Sequence, residues 1–198
     1  IYSIGRFKQT SDFDPGNGIY NLTASGYENF FIQKLNSSGD FIWTKAFIDD
    51  DIEFVSSINL DGFNDIYLTG YFQSATASFG QNNSLTNNGL TDAFLSKYDT
   101  DGNLLWLRQA GGSDYDYSRS VSSDAGGNVV ITGSFNSASV TFGSSTLSNS
   151  GSSDIFVSKY DSSGSVLWAR GVGGSSFEEG LDLITDASGN VLLTGFFQ

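Results

Sequence analysis

Residues 154–170 read DIFVSKYDSSGSVLWAR, residues 92–108 read DAFLSKYDTDGNLLWLR, and residues 29–45 read NFFIQKLNSSGDFIWTK. Each copy has a β-rich run, a tight Gly-containing turn and a second β-rich run that carries one Trp. Trp43, Trp106 and Trp168 stand 63 and 62 residues apart. Gly39, Gly102 and Gly164 keep that spacing, as do Lys34, Lys97 and Lys159, and so do Asp61, Asp124 and Asp186. So many positions in register mark an internal repeat, and a repeat period sets the architecture before any single element does.

Working outward, a further element appears four times: IYSIGRF at 1–7, IYLTGYF at 66–72, VVITGSF at 129–135 and VLLTGFF at 191–197. One repeat therefore holds four strand signals, here lettered A to D. In the third copy they are 118–124 (A), Val129–Phe135 (B), Asp154–Tyr160 (C) and 166–171 (D). Each is short, rich in β-branched or aromatic residues, and bounded by turn residues. The A–B turns read DAGGN at 124–128 and DASGN at 186–190, where Gly127 and Gly189 supply a positive φ; Asn64 fills that place in the remaining copy. The C–D turns begin at Asn36, Asp99 and Asp161 and close on Gly. Asp99-Thr100-Asp101 resembles the first half of a calcium loop but lacks the bidentate Glu that would complete it, so turn capping is the expected role.

Four antiparallel strands per repeat of about 60 residues predict an all-β fold, a fragment of a β-propeller with about three four-stranded blades and extra strands of a fourth. The blades fall at roughly 1–48, 49–111, 112–172 and, in part, 173–198. A β-solenoid is the alternative, with shorter coils and parallel strands. Because the strand count leaves one surplus B strand, the segment is expected to be an excerpt of a longer chain, or to be completed by other copies.

Composition narrows the chemistry. Among 198 residues there is no Cys and no His, which removes thiol chemistry, disulfides, imidazole acid–base catalysis and most zinc sites. The net charge is −13, so nucleic acid is a poor partner. No apolar run is long enough for a membrane span. Cations are the favoured small partners, and Ca²⁺ is the possible one.

In an antiparallel meander, consecutive turns lie at opposite ends. The A–B and C–D turns share one face, and the long B–C loops (8–29, 73–91, 136–153) share the other with the D–A loops. Loops on a rigid scaffold are where binding concentrates. Glu53, Asp116 and Glu178 occupy one repeat position, eight residues before the A–B turn Asp. If strand A lines the channel, they sit near its mouth, either as a ring of carboxylates for a cation or as caps on the start of the strand. Asp12 and Asp14, and the run Asp49-Asp50-Asp51, are the acids that break the repeat and are the candidate metal ligands. Phe13 matches Phe79 and Phe142, which suggests an anchor pinning each long loop. The Trp residues are expected between blades, and Lys45, Arg108 and Arg170 beside them.

The pattern D-x-F-[LV]-S-K-Y-D-x-x-G-x-x-x-W-x-R, an acidic D–A loop, and D-x-x-G-N-x-x-x-T-G-x-F together resemble the bacterial β-propeller repeat family named for a seven-bladed propeller. The segment from Asp12 to Gly16, followed by Asn21-Leu22-Thr23, is similar to versions in large exported Bacteroidota proteins. The resemblance covers essentially the whole chain. It implies a secreted or cell-surface protein, often carrying a type IX secretion sorting domain, and no shared catalytic residues. The leading expectation is a non-catalytic surface or adhesion module that binds protein or glycan through the long-loop face. The alternatives are a carboxylate-based glycoside hydrolase or lyase, and a passive type IX cargo whose partner is the secretion machinery.

Overall fold

The repeat becomes a row of antiparallel sheets. The computed structural model describes residues 1–26, 28–47, 53–80 and 83–198, with the backbone alone at Glu53. The strands are β1 (Tyr2–Phe7), β2 (Thr10–Asp12), β3 (Asn21–Thr23), β4 (Asn29–Leu35) and β5 (Phe41–Phe47), then β6 (Glu53–Leu60), β7 (Ile66–Phe72), β8 (Thr76–Ser78), β9 (Ser84–Thr86), β10 (Asp92–Tyr98) and β11 (Leu104–Ala110). They continue as β12 (Asp116–Ser123), β13 (Val129–Phe135), β14 (Ser139–Phe142), β15 (Ser145–Ser148), β16 (Asp154–Tyr160) and β17 (Val166–Val172), and close with β18 (Glu179–Thr185) and β19 (Val191–Phe196). The principal sheets run β1-β4-β5, β11-β10-β7-β6, β12-β13-β16-β17 and β18-β19. In the second and third this is the A-B-C-D meander. The described residues contain no helix, and so none long and apolar enough to cross a membrane.

The middle strands are buried on both faces. All seven residues of β10 and of β13 are buried, as expected for a sheet sandwiched between two others. One apolar cluster joins Phe30, Ile32 and Phe47 to Ile66, Leu68, Phe79 and Tyr98 across the first junction. A second joins Tyr67 and Leu95 to Val121, Phe135, Phe142 and Tyr160 across the next.

The long B–C loops are more ordered than their composition suggests. Each folds back as a small hairpin, β2-β3, β8-β9 and β14-β15. Phe13, Phe79 and Phe142 are buried beneath them, the anchoring role expected of that position. The B–C segments are thus hairpins docked on a Phe.

Strand A differs from expectation too. β12 begins at Asp116 rather than at 118 and ends before Asp124, which belongs to the turn. The cause is a bulge: pairing slips between Ser118 and Ser120, and likewise between Val55 and Ser57 and between Gly180 and Asp182. The bulge also accounts for the T-G signature of strand B. A Cβ at Gly133 would fall 1.8 Å from the Tyr117 carbonyl oxygen, and one at Gly70 would fall 1.8 Å from that of Phe54. No side chain fits there.

Adjacent sheets are stitched in three places. The A strands β6, β12 and β18 lie side by side, joined by polar side chains rather than a backbone ladder. Asn59 Oδ1 accepts from the Ser123 amide and hydroxyl, and the Thr185 hydroxyl donates to Ser123 O. At the opposite sheet edge, the Trp43 indole and the Lys34 ammonium both donate to Thr100 O in the next C–D turn. Trp106 repeats the contact on Ser162 O at 3.0 Å, and Arg108 adds Gly164 O and Ser163 O. Near the long loops, Thr91 and Ser153 form short parallel bridges with Tyr115 and Phe177 of the following sheet.

Candidate interaction surface

The repeated Asp residues of the short turns are structural. Asp124 Oδ1 accepts the amides of Gly126 and Asn128, and its Oδ2 meets Lys159 at 2.7 Å. Asp99, Asp161 and Asp186 cap their turns in the same way. Burial pushes the Asp124 carboxyl up, but Lys159 and the Asn128 and Gly126 donors outweigh it and hold the group at about 2. Lys97 bridges Asp65 at 2.8 Å and Asp61 at 3.8 Å. Lys97 and Lys159 therefore neutralise the A–B turns of their own sheets.

The acids at the other end sit in a different setting. Asp116 is fully buried. Its Oδ2 accepts the Gly112 amide and the Ser137 hydroxyl, both at 2.7 Å. Burial pushes this carboxyl up to about 6, against the pull of Ser137 and Gly112, and the nearby Asp92 charge adds to the rise. Glu178 is 2% exposed and caps the Gly174 amide at 2.8 Å. Both side chains thus turn back onto the backbone of their own D–A loop. The Glu53 side chain lies outside the described residues, as do Asp49, Asp50 and Asp51.

Asp12 and Asp14 organise the first long loop. Asp12 Oδ1 accepts the amides of Asp14 and Tyr20, which hold its carboxyl below the usual range, and Asp14 Oδ1 accepts the Gly16 amide. Among the described residues no group of three or more acidic side chains is gathered as a metal cage.

What the fold does bring together at the long-loop end of strands A and B is a line of aromatic and arginine side chains. The Arg6 guanidinium lies 4.6 Å over the Phe54 ring. Phe54 stacks on Tyr71 at 4.9 Å, Tyr71 meets Tyr117 edge-on at 4.8 Å, and Tyr117 lies parallel to Tyr115 at 6.0 Å. Arg119 sits over both Tyr117 and Tyr71, at 4.9 and 5.5 Å, and its Nε bonds Glu179 Oε1 at 2.7 Å. The line crosses four successive sheets. Tyr115 is 38% exposed. Burial, with Tyr71 and Tyr115 alongside, raises the Tyr117 phenol, so it stays neutral at physiological pH.

Sequence reasoning that aligned the repeats passed over this line because its members differ between copies. Arg6, Tyr71, Ser134 and Phe196 share one position, and Phe54, Tyr117 and Glu179 share another. The signal that marks it in the sequence is a set of aromatic and cationic residues that break the repeat beside the repeated T-G step.

No protein-family model matches the chain. It is similar to an uncharacterized WD repeat-containing protein, L264, of Acanthamoeba polyphaga mimivirus, at 27% identity over 206 residues. The match takes in 92% of this chain, which spans 15% of the length of that relative. WD repeats are four-stranded propeller blades, so the similarity agrees with the sheets described above. It supports a propeller-type repeat and does not extend to the exported bacterial family that the motifs resemble.

Proposed function

We propose that the chain is a non-catalytic protein-interaction module, with the line of Phe54, Tyr71, Tyr115, Tyr117 and Arg119 as its anchor for a partner protein. The observation that carries this reading is that cluster itself: partly exposed Tyr and Arg, built from residues that depart from the repeat, on the face that also presents the long hairpins. Tyr and Arg dominate binding energy at protein interfaces because they offer large rigid area together with polar tips. The propeller-type repeat of the viral relative favours the same class. Against a hydrolase stands the engagement of Asp116 and Glu178 in capping, since paired acid chemistry needs two carboxylates that face a substrate.

A photo-crosslinking residue placed at Tyr115 should capture a discrete partner in the native host extract, and one at Ser188, on the short-turn face, should not. Arg119→Ala should remove the Tyr115 crosslink. Equal crosslinking from both faces, or capture indifferent to Arg119, would overturn the reading. An exported, cell-surface setting and type IX carriage rest on the motif resemblance, and adhesion to a protein or glycan would be a further use of the same face. Protease shaving of intact cells tests the location, and binding to a glycan array in place of protein capture would shift the partner class.

A further inference from the structure

The short parallel bridges that tie one sheet to the next have a buried acid behind them on each side. Thr91 pairs with Tyr115, and the Asp116 amide donates to Thr91 O at 2.9 Å. Asp92 follows Thr91, Asp116 follows Tyr115, and both acids are fully buried. The next junction repeats the arrangement. Ser153 pairs with Phe177, the Glu178 amide donates to Ser153 O at 2.9 Å, and Asp154 and Glu178 are buried behind them.

These acids are poorly equipped to be charged together. Asp92 Oδ2 accepts the Asn88 amide at 2.9 Å and the Gln109 side-chain amide, but Oδ1 has no hydrogen-bond partner. That oxygen is packed on Gly111, where a Cβ would run into it. Asp154 Oδ1 is also without a partner and is packed on Gly173 in the same way. Asp116 accepts from neutral donors, the Gly112 amide and the Ser137 amide and hydroxyl. Among the described residues no lysine or arginine pairs with any of the four acids. The other titratable groups around the first pair are Asp114, which accepts the Tyr115 amide at 2.9 Å, Tyr115 itself, the neutral Tyr117 phenol, and Arg119, which is committed to Glu179. A bare oxygen is tolerable on a neutral carboxyl and costly on a carboxylate, and two like charges in one dry site resist ionising together. Burial accordingly raises the proton affinity of both Asp92 and Asp116, and the Asp92 charge adds to the rise at Asp116.

We propose that the Thr91–Tyr115 bridge is a proton-operated clip, closed while the Asp92–Asp116 pair holds a proton and opened, to hydrate both carboxylates, when that proton leaves. Tyr115 and Tyr117 flank Asp116 in the chain, so the clip also sets how firmly the aromatic line is presented. That consequence rests on the protein-binding reading, whereas the clip itself does not. The Ser153–Phe177 bridge is a second clip of the same kind. At the first junction Asn29 replaces the leading acid and accepts the Ser25 amide, so no such pair forms there.

The test is backbone amide hydrogen exchange of the intact chain from pH 4 to pH 8, corrected for the intrinsic pH dependence of exchange. The Asp116 amide is the reporter. Its protection should fall by up to about a hundred-fold as the pH rises from 4 to 7, the most that a shift from 3.8 to about 6 allows, and should level off above. The Glu178 amide should fall over a similar range. The Leu95 and Ile131 amides, in the middle of β10 and β13, should stay better protected throughout, which marks the opening as local. Asp116→Asn should remove most of the fall, Asp92→Asn part of it, and the double variant all of it. Asn29 shows that the fold accepts an amide at the Asp92 position. Protection indifferent to pH, a fall that persists in the double variant, or an Asp116 amide as protected as those of Leu95 and Ile131 would overturn the proposal. No partner enters this measurement, so its failure would leave the protein-binding reading standing, and a failed capture at Tyr115 would leave the clip standing.

Discussion

At the short-turn face, Asp124 caps two amides with Lys159 at 2.7 Å; at the long-loop face, Asp116 caps the Gly112 amide with no cation paired to it among the described residues and with Asp92 nearby. Residue type and hydrogen-bonding task are the same, yet one carboxyl is held at about 2 and the other is pushed up to about 6. A lysine on strand C and partial access to water make the difference. Where the strand-C residue is itself an acid, Asp92 or Asp154, burial without a counter-charge raises its proton affinity as well. In the first sheet Asn29 stands in that position and accepts the Ser25 amide at 2.7 Å. The task therefore needs an acceptor and not a charge.

The two carboxyls should push stability in opposite directions with pH. Asp124 holds its proton less tightly in the folded state, so its contribution is present above the unfolded value near 4 and is lost as the pH falls through about 2. Asp116 holds its proton more tightly when folded. Its contribution is present below the unfolded value and is lost as the pH rises through about 6.

Substitutions can sharpen or break that contrast. Asp124→Ala strands Lys159 and two amides, and should cost about 3 kcal/mol at pH 7, read from urea midpoints. Asp186→Ala, where the turn is exposed and no lysine pairs with the Asp, should cost less. A smaller loss at Asp124 than at Asp186 would break the contrast. Asp116→Asn should raise stability above pH 7 by about 2 kcal/mol, bring no gain below pH 4, and flatten the profile between. A loss that is present above pH 4 and vanishes below it would show that Asp116 works as an anion after all. Asn64→Gly, which gives the first A–B turn the residue of the other two, should move stability by no more than about 0.5 kcal/mol, because Asn already holds φ at 66°.

Much of this was legible in the sequence because the repeat averages out local ambiguity. β13 and β16 coincide with the strands read at Val129–Phe135 and Asp154–Tyr160, and the positive φ at Asn64, Gly127 and Gly189 follows from the turn pattern. The hairpins in the long loops were not legible: Thr76-Ala77-Ser78 is too short and too polar to read as a strand, and it pairs because Phe79 holds it down. The bulge that starts strand A at Asp116 is a backbone event with no residue of its own, visible only through the glycine opposite. The aromatic line was hidden for the reason that repeats are easy to find, since alignment discards what differs.

The most direct test is a ¹³C-carboxyl NMR titration of Asp116 and Asp124 in the intact chain. The account predicts a midpoint at about 6 for Asp116 and at about 2 for Asp124. Two midpoints that coincide near the ordinary aspartate value would contradict it, and would mean that the two faces do not differ in the way their carboxylates are held.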